Sequence, residues 1–281
     1  MTTTAIGLMS GTSLDGVEAA LLRTDGETVV EAGEAVSLPY DPPVRAGLAR
    51  AVKAAIEGRE ASVDISLAAA ELVRIHARAV GLLLMKAGVA REEVDVVGFH
   101  GQTLLHRPPR WPGAIGRSWQ IGDGAALAAA IGIDVVNEFR QADIAAGGEG
   151  APLVPVYHAA RVAAAALPGV TAVVNIGGVA NVTFVAEGAP LDALVAFDCG
   201  PGNGLLDQWM LMKTGKAFDE DGAAARSGAA RNDILAALLA EDYFRRPPPK
   251  SLDRYDFGLD RVLSLSTADG AATLAALTVG A

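Results

Sequence analysis

A glycine-rich turn near the N-terminus is the first segment whose residues could do chemistry. It contains Thr12, Ser13 and Asp15 between two apolar segments that are predicted as strands, at residues 4–9 and 17–23. Glycine lets backbone N–H groups approach an anion without side-chain obstruction, and the two hydroxyls can donate to nucleotide phosphates. Asp15 can hold a magnesium ion, directly or through water. The alternative is an ordinary polar hairpin, since these residue types are common in turns.

Two familiar motifs do not fit this turn. A P-loop needs Gly-Lys-Ser/Thr, which does not follow here. A nucleophile elbow needs Gly-x-Ser-x-Gly, and Asp15 stands where its last glycine belongs. A second glycine turn repeats the strand–turn–strand plan downstream, with Gly177 and Gly178 between strands predicted at residues 172–176 and 181–185. The sequence therefore predicts two hairpins that could hold phosphate.

Asp198 follows an apolar strand, predicted at residues 195–197, and precedes a glycine-rich turn and a helix predicted at about residues 205–213. Such a position exposes a carboxylate on a rigid backbone at the edge of an α/β cleft, which suits a general base. An Asp ahead of a helix also often caps it, and that alternative stays open. The neighbouring Cys199 is interpreted as a small hydrophobe rather than a thiol nucleophile.

Polar residues after another predicted strand, at residues 95–99, could bind sugar hydroxyls: His100 and Gln102. Arg140 offers a bidentate fork that suits a substrate carboxylate. For each of them the alternative is a polar residue at the surface. The remaining histidines lack the spacing of a metal site and are interpreted as structural: His76 in a helix, His106 in a proline-rich loop and His158 near the middle of the chain.

The elements that must position these residues alternate between helices and strands, which is typical of an α/β fold. The predicted helices lie at residues 44–57, 66–86, 121–131 and from about 156 to 167, and a further strand lies at 133–137. Pro108, Pro109 and Pro112 predict a loop. A run rich in glycine and proline, residues 149–155, predicts a boundary between two lobes at residues 1–150 and 151–281.

Bulk composition excludes several function classes. A net charge of −10 without any basic run disfavours nucleic acid as a partner. A single cysteine excludes an internal disulfide and a cysteine zinc cluster, as expected in a reducing compartment. The N-terminus lacks a signal-peptide pattern, and no apolar run approaches the ~20 residues that span a bilayer. The sequence therefore predicts a cytoplasmic protein with no membrane partner.

Five blocks, taken with their order and spacing, resemble the anhydro-N-acetylmuramic acid kinase family. They are Gly7-Leu8-Met9-Ser10-Gly11-Thr12-Ser13-Leu14-Asp15-Gly16, His100-Gly101-Gln102-Thr103, Gln120-Ile121-Gly122-Asp123, Asn175-Ile176-Gly177-Gly178 and Asp198-Cys199-Gly200-Pro201-Gly202-Asn203. The likeness extends through Gly147-Gly148-Glu149-Gly150-Ala151-Pro152-Leu153-Val154-Pro155 to the late Pro249-Lys250-Ser251. It covers essentially the whole chain.

The resemblance implies an actin-like, hexokinase-like and Hsp70-like fold with two ribonuclease H-like lobes. It also implies ATP and Mg²⁺ as cofactors and 1,6-anhydro-N-acetylmuramic acid as the sugar substrate in peptidoglycan recycling. Asp198 would deprotonate the water that opens the anhydro bridge, and the freed O6 would take the γ-phosphoryl group. Kinases of this family are often dimers, so a homodimer is expected.

The resemblance also implies which residues form the sites. Those that would bind ATP are Gly11, Thr12, Ser13, Leu14, Asp15, Gly16, Val17, Glu18, Gly177 and Gly178, with Asp15 as the metal ligand. Those that would bind the sugar are His100, Gln102, Thr103, Arg140, Asp143 and Pro152.

This sequence departs from the family pattern in two places. Glu18 stands where family members usually carry Asp, which keeps the charge and lengthens the side chain. The chain ends within a helix-like segment, residues 267–279, where the family continues with an adenosine-binding motif, so the second lobe is expected to be incomplete. The alternative functions are a catalytically inactive, truncated sugar-binding remnant and an enzyme that transfers phosphate to water.

Overall fold

A computed structural model describes residues 2–107 and 116–281 of the chain. The chain divides into two compact units, with the boundary between Gly169 and Val170. The loop predicted at Pro108, Pro109 and Pro112 lies outside the described residues.

The first unit is built on a mixed sheet. Its strands are β1 (Thr3–Ser10), β2 (Gly16–Thr24), β3 (Val30–Pro39), β4 (Val96–Arg107), β5 (Arg117–Ile121) and β6 (Val135–Asn137). The sheet order is β3-β2-β1-β4-β5, and β6 also pairs with β4. The first three strands are antiparallel neighbours, whereas β4 runs parallel to both β1 and β6. This mixture is the arrangement expected of a ribonuclease H-like lobe.

Helices cover this sheet because their apolar residues recur at helical spacing. They are α1 (Pro42–Ile56), α2 (Val63–Ala87), α3 (Gly124–Ile131), α4 (Phe139–Ala145) and α5 (Pro155–Ala164). Ser62 caps α2 by accepting from the Asp64 N–H over 3.2 Å, and Gly88 ends it in a left-handed conformation. Leu72 and Leu83 of α2 are buried in one cluster with Phe99 of β4. Each such side chain contributes roughly 1.5–3 kcal/mol through burial.

The second unit contains a smaller antiparallel sheet, ordered β7-β8-β9. Its strands are β7 (Val170–Ile176), β8 (Val179–Ala186) and β9 (Val195–Pro201). Its helices are α6 (Asn203–Thr214), α7 (Ala223–Ser227), α8 (Asn232–Leu239), α9 (Asp242–Arg245) and α10 (Thr267–Gly280). Trp209 of α6 is fully buried, and its indole N–H donates to the Thr267 carbonyl over 2.9 Å. A buried cluster that joins α6, α8 and α10 therefore forms the core.

The structure confirms the α/β class, the presence of two units and the strand–turn–strand plan in each of them. The observed boundary at Gly169 lies after the one predicted near residue 150, because α5 contacts β3 and so joins the first unit. β4 does not end at Phe99 as predicted but continues to Arg107, since its second half pairs with β5. His106 consequently lies in a strand and not in a loop. Within the described residues, every helix is too short or too polar to cross a bilayer.

Candidate functional site

The turn between β1 and β2 is held by its own backbone. The Leu14 N–H donates to the Gly11 carbonyl over 3.2 Å, and Leu14 adopts a left-handed conformation with φ of 55°. That conformation costs a residue with a Cβ roughly 1–2 kcal/mol. The Leu14 side chain is buried in the core of the first unit, which holds it there. The turn is therefore a fixed structure whose backbone can present N–H groups to an anion.

Side chains at the tip of this turn remain accessible. Ser13 donates to the Asp15 carboxylate over 2.8 Å, and both residues are exposed, as is Glu18. Thr12 is partly exposed, whereas Val17 is fully buried, so Val17 can meet a nucleotide only through its backbone. An exposed carboxylate suits Mg²⁺, which protein sites typically hold through one or two carboxylates together with substrate phosphates. Asp15 therefore fits the expected metal ligand.

Gly11 and Gly16 of the turn differ in what a side chain would meet at each position. A Cβ at Gly16 would lie 2.6 Å from the Leu38 carbonyl oxygen of β3, so the fold itself excludes a side chain there. A Cβ at Gly11 would meet the Ser13 hydroxyl at 3.2 Å, a tight contact with a side chain that can rotate, and the Ser13 nitrogen at 3.9 Å. The fold thus leaves room beside Gly11, as a site for a closely approaching phosphate requires.

A buried hydrogen-bond network attaches this turn to β4. Ser10 donates to Gln102 Oε1 over 2.5 Å, and the Tyr40 hydroxyl lies 2.6 Å from Ser10 Oγ. Since Ser10 has one proton to give, Tyr40 donates to it. Gln102 Nε2 donates to the Gly11 carbonyl over 3.2 Å. Burial raises the pKa of Tyr40 to about 12, so the phenol stays protonated. Gln102, predicted to bind sugar, is fully buried and holds the turn between β1 and β2 in this structure.

Four of the predicted sugar-site residues lie together at the Gly/Pro-rich segment. Arg140 of α4 donates to the Gly150 carbonyl over 2.6 Å and lies 3.0 Å from His100 Nε2. Asp143, one turn further along α4, accepts from the Gly150 N–H over 2.7 Å. Gly150 is thus held from both sides, and Pro152 follows two residues later, half-buried. The structure therefore brings His100, Arg140, Asp143 and Pro152 into one locality.

His100 is neutral in this arrangement. Burial, followed by the nearby Arg140 guanidinium, lowers its pKa to about 4. Nδ1 lies 2.9 Å from the Gly101 carbonyl and must donate to it, which leaves Nε2 as the acceptor for Arg140. His100 therefore orients the arginine and is not a proton donor at neutral pH.

Thr103 and Gln120 face each other across β4 and β5. Within residues 2–107 and 116–281, the Thr103 hydroxyl and Gln120 Oε1 are buried without a hydrogen-bond partner. Directly opposed residues of an antiparallel pair lie on the same face, with Cβ atoms about 5 Å apart. Buried polar atoms normally form a hydrogen bond with protein or with water, so these two oxygens lack the hydrogen-bond partner that such atoms usually have. Gln120 Nε2 donates to the His100 carbonyl over 2.6 Å, which connects the pair to the His100 locality.

In the second unit, the two glycine-rich segments bind each other. The Gly177 carbonyl accepts from the Asn203 N–H over 2.7 Å, and the Gly178 carbonyl accepts from the N–H groups of Gly202 and Gly204 at 3.0 and 3.2 Å. A Cβ at Gly202 would overlap the Gly177 oxygen, whereas a Cβ at Gly177 would lie 3.6 Å from the Val179 oxygen, an ordinary contact. The fold therefore requires glycine at 202 but leaves room at 177.

Asp198 lies inside β9 and not at its end. Asn181 of β8 pairs with Asp198 and Ala180 pairs with Gly200, so Cys199 is the extra residue of a β-bulge. The Asp198 side chain is buried, and its Oδ2 accepts from the Leu252 N–H over 2.8 Å. The alternative that Asp198 caps the next helix is wrong, because Gly202 is the N-cap of α6.

The surroundings of Asp198 include residues that sequence reasoning gave no role. The Tyr243 hydroxyl donates to the Asp198 carbonyl over 2.5 Å, and the Asp198 N–H donates to the Lys250 carbonyl over 3.1 Å. Asn181, opposite Asp198, has a buried side-chain oxygen with no hydrogen-bond partner in the described part of the chain. Burial, and then the Asp198 charge, raise the pKa of Cys199, which supports its interpretation as an inert thiol. The one sequence signal for these residues was the Pro249-Lys250-Ser251 block, which belongs to the family resemblance.

Comparison with known proteins identifies the family of the chain. The family model described as anhydro-N-acetylmuramic acid kinase matches residues 3–280. An anhydro-N-acetylmuramic acid kinase of Rhizorhabdus wittichii is 51% identical over 98% of this chain, and the match covers 73% of that protein. One of Rhodospirillum rubrum is 52% identical over 98% of this chain and 69% of that protein. A solved polyphosphate/ATP-glucomannokinase from Arthrobacter is 21% identical, with a TM-score of 0.26 over 66% of this chain and 59% of the other. The family match and the two relatives show that the chain belongs to the anhydro-N-acetylmuramic acid kinase family.

Proposed function

We propose that this protein is an ATP-dependent kinase that opens 1,6-anhydro-N-acetylmuramic acid with water and phosphorylates its O6. The product is N-acetylmuramic acid 6-phosphate, and the process served is peptidoglycan recycling. Family membership supports the reaction. The observation that carries the mechanism is the buried Asp198 carboxylate, fixed by the Leu252 N–H at a bulge of β9.

Asp198 acts as the general base of this reaction. It removes a proton from water as the water oxygen bonds to the anomeric carbon and the bond from that carbon to O6 breaks. O6 then takes the γ-phosphoryl group, and ADP leaves. A positioned base contributes typically ~10²- to 10⁴-fold to the rate. The bond from the Leu252 N–H to Oδ2 fixes the orientation of the carboxylate, so the carboxylate does not have to reorganise before it takes the proton.

The two glycine turns bind the nucleotide phosphates. Leu14 and the Ser10–Gln102 network hold the first turn in a fixed shape, so its N–H groups do not have to reorganise around the phosphates. Gly177 supplies room for close approach in the second unit. Asp15 would hold Mg²⁺, which when bound neutralises charge on the phosphoryl oxygens.

The sugar binds beside Gly150. Arg140 and Asp143 fix that segment, and the Thr103 hydroxyl offers a buried polar atom that has no protein partner among the described residues. Sugar hydroxyls and the acetamido group can satisfy such atoms. Gln102 does not bind the sugar itself; it holds the β1–β2 turn that binds phosphate.

A cytoplasmic location and a homodimer belong to the same proposal. Light scattering on the purified chain tests the dimer.

The proposal is tested by incubating the chain with 1,6-anhydro-N-acetylmuramic acid, ATP and Mg²⁺ and measuring N-acetylmuramic acid 6-phosphate. Asp198→Asn should abolish turnover and leave folding intact, because the Asn side-chain oxygen can still accept from the Leu252 N–H. Asp192→Asn is the matched control, since Asp192 is exposed in the same unit. Turnover by Asp198→Asn would remove Asp198 as the base. Sugar binding without product from the wild type would favour the non-catalytic remnant, and phosphate release without sugar would favour transfer to water.

A further inference from the structure

We propose that Lys250 and Tyr243 are positioning residues that hold Asp198 in its reactive orientation. This inference rests on the proposed function, in which Asp198 is the base. Its basis is a set of contacts between Asp198 and residues 243 and 250–252, of which the proposed reaction uses only the Leu252 N–H.

Asp198 is bracketed by that segment at both its backbone and its side chain. The Asp198 N–H donates to the Lys250 carbonyl over 3.1 Å, and the Leu252 N–H donates to Asp198 Oδ2 over 2.8 Å. Residues 250–252 therefore bond to β9 much as a neighbouring strand would. Any shift of residue 250 along the chain displaces the N–H that fixes the carboxylate.

Lys250 is held by its own side chain. Its ammonium group donates to the Tyr243 carbonyl over 3.2 Å. The same group lies 4.6 Å from the centroid of the Tyr243 ring and 5.5 Å from that of Phe197, which immediately precedes Asp198. Cation–π contacts of this kind contribute roughly 0.5–2 kcal/mol, more as water is excluded. Lys250 is 6% exposed, and burial lowers the pKa of its ammonium group.

Tyr243 completes the arrangement from α9. Its hydroxyl donates to the Asp198 carbonyl over 2.5 Å, while its ring packs edge-on against Phe244 and Phe257. Asp198 is thus fixed at its N–H by Lys250, at its carbonyl by Tyr243 and at its carboxylate by Leu252. The Lys250 ammonium contacts the Tyr243 carbonyl and the rings of Tyr243 and Phe197, so it acts on the base through these neighbours.

Lys250→Met tests the inference by keeping the length of the side chain and removing its charge and donor. A displacement of about 1 Å at a reacting group can cost ~100-fold in rate. We therefore expect kcat to fall by roughly 10- to 100-fold, with KM for ATP and for the sugar nearly unchanged. Lys250→Arg keeps a cation that can stack on both rings and donate to the carbonyl, and should restore most of kcat.

Lys213→Met is the matched control. Lys213 lies in the same unit, donates to the carbonyls of Leu263 and Leu265, and stands 4.5 Å from the Trp209 ring; none of these contacts involves Asp198, Tyr243 or residues 250–252. Its replacement removes the same kinds of interaction and should leave kcat unchanged. An equal loss of kcat in Lys213→Met and Lys250→Met would mean general loosening of the unit and would overturn the inference.

Amide hydrogen exchange of Leu252, followed by NMR, gives a readout that does not depend on turnover. Lys250→Met should speed exchange of this amide about tenfold or more, while amides in the α6–α10 core keep their protection. Tyr243→Phe, which keeps the ring and removes the hydroxyl bond, should have a smaller effect in the same direction and serves if Lys250→Met does not fold.

The outcomes separate the two proposals. Wild-type kcat in Lys250→Met, or lost kcat with full protection of Leu252, overturns the positioning role and leaves the proposed function standing. No sugar phosphorylation by the wild type overturns the proposed function, and the exchange of Leu252 then still decides whether Lys250 positions the Asp198 segment.

Discussion

The N–H of Asn203 donates to the carbonyl oxygen of Gly177 over 2.7 Å, and this bond joins the two glycine-rich segments of the second unit. The first N–H groups of α6 are therefore used by protein and are not all available to an anion. The Gly177 N–H also donates to the Val179 carbonyl over 3.2 Å, so a phosphate that binds at this turn would approach the Gly177 Cα, where the fold leaves room.

Gly177→Ala and Gly202→Ala should consequently fail in different ways. At Gly177 a Cβ would make only an ordinary contact, so we expect normal stability and weaker binding of ATP. At Gly202 a Cβ would overlap the Gly177 carbonyl, so we expect a loss of stability of roughly 1–3 kcal/mol. Urea unfolding and calorimetric titration with ATP, applied to both variants, check this.

Equal ATP affinity in Gly177→Ala and the wild type would remove the second turn from the nucleotide site. A stable Gly202→Ala with unchanged unfolding would mean that the two segments can separate at little cost.

A substitution at Tyr40 tests whether Gln102 holds the β1–β2 turn in the shape that binds ATP. Tyr40→Phe removes the hydroxyl that bonds to Ser10, a bond worth about 1 kcal/mol, and loosens the attachment of the turn to Gln102. We expect KM for ATP to rise several-fold, with KM for the sugar unchanged. Steady-state kinetics with each substrate varied in turn measure both, and Tyr255→Phe, at an exposed tyrosine, is the control.

A rise in KM for the sugar alone would instead return Gln102 to the sugar site, as the sequence predicted. The Gln102 amide would then have to leave the Gly11 carbonyl on binding.

The strand–turn–strand hairpins could be predicted because their signals are local. Alternating apolar residues on both sides of Gly11 and Gly177 define the strands. The helices α1 and α2 followed from the spacing of their apolar residues in the same way. The prediction of element types was therefore strongest where one stretch of sequence decides the structure.

The surroundings of Asp198 could not be predicted, because they depend on residues distant in the chain. Tyr243 and Leu252 reach Asp198 only once α9 and the segment after Pro249 fold onto β9. The bulge at Cys199 depends on pairing with β8, which no local pattern reports. β4 was predicted too short for the same reason, since its polar second half is a strand only because β5 pairs with it.

Arg140→Lys should weaken binding of the sugar. Arg140 holds the Gly150 carbonyl through one nitrogen and His100 through another, and a lysine cannot make both contacts with that geometry. We expect KM for the sugar to rise about tenfold or more, with KM for ATP unchanged. Arg74→Lys, at an exposed ion pair with Glu71, is the control and should change neither. Unchanged sugar kinetics in Arg140→Lys would contradict a role for Gly150 in holding the sugar.

Stability should fall as the pH drops from 7.5 to 5.5, through the buried histidines of the first unit. Burial is the main cause that lowers the pKa of His76, His100 and His106 from 6.5 to about 4. Between these values the unfolded chain binds protons that the folded chain does not, so the free energy of unfolding rises with pH in this window and is flat above it. Each histidine contributes about 1 kcal/mol of loss at pH 5.5.

Urea unfolding of the first unit at pH 7.5, 6.5 and 5.5 measures this slope. His76→Gln should lower the slope by an amount that corresponds to about one fewer proton taken up on unfolding, because His76 is fully buried. His158→Gln is the comparison: burial also lowers the pKa of His158, but this histidine is only partly buried, so its replacement should change the slope less. A slope that is the same in the wild type and in His76→Gln would mean that His76 becomes protonated in the folded state, and that its burial does not hold its pKa near 4.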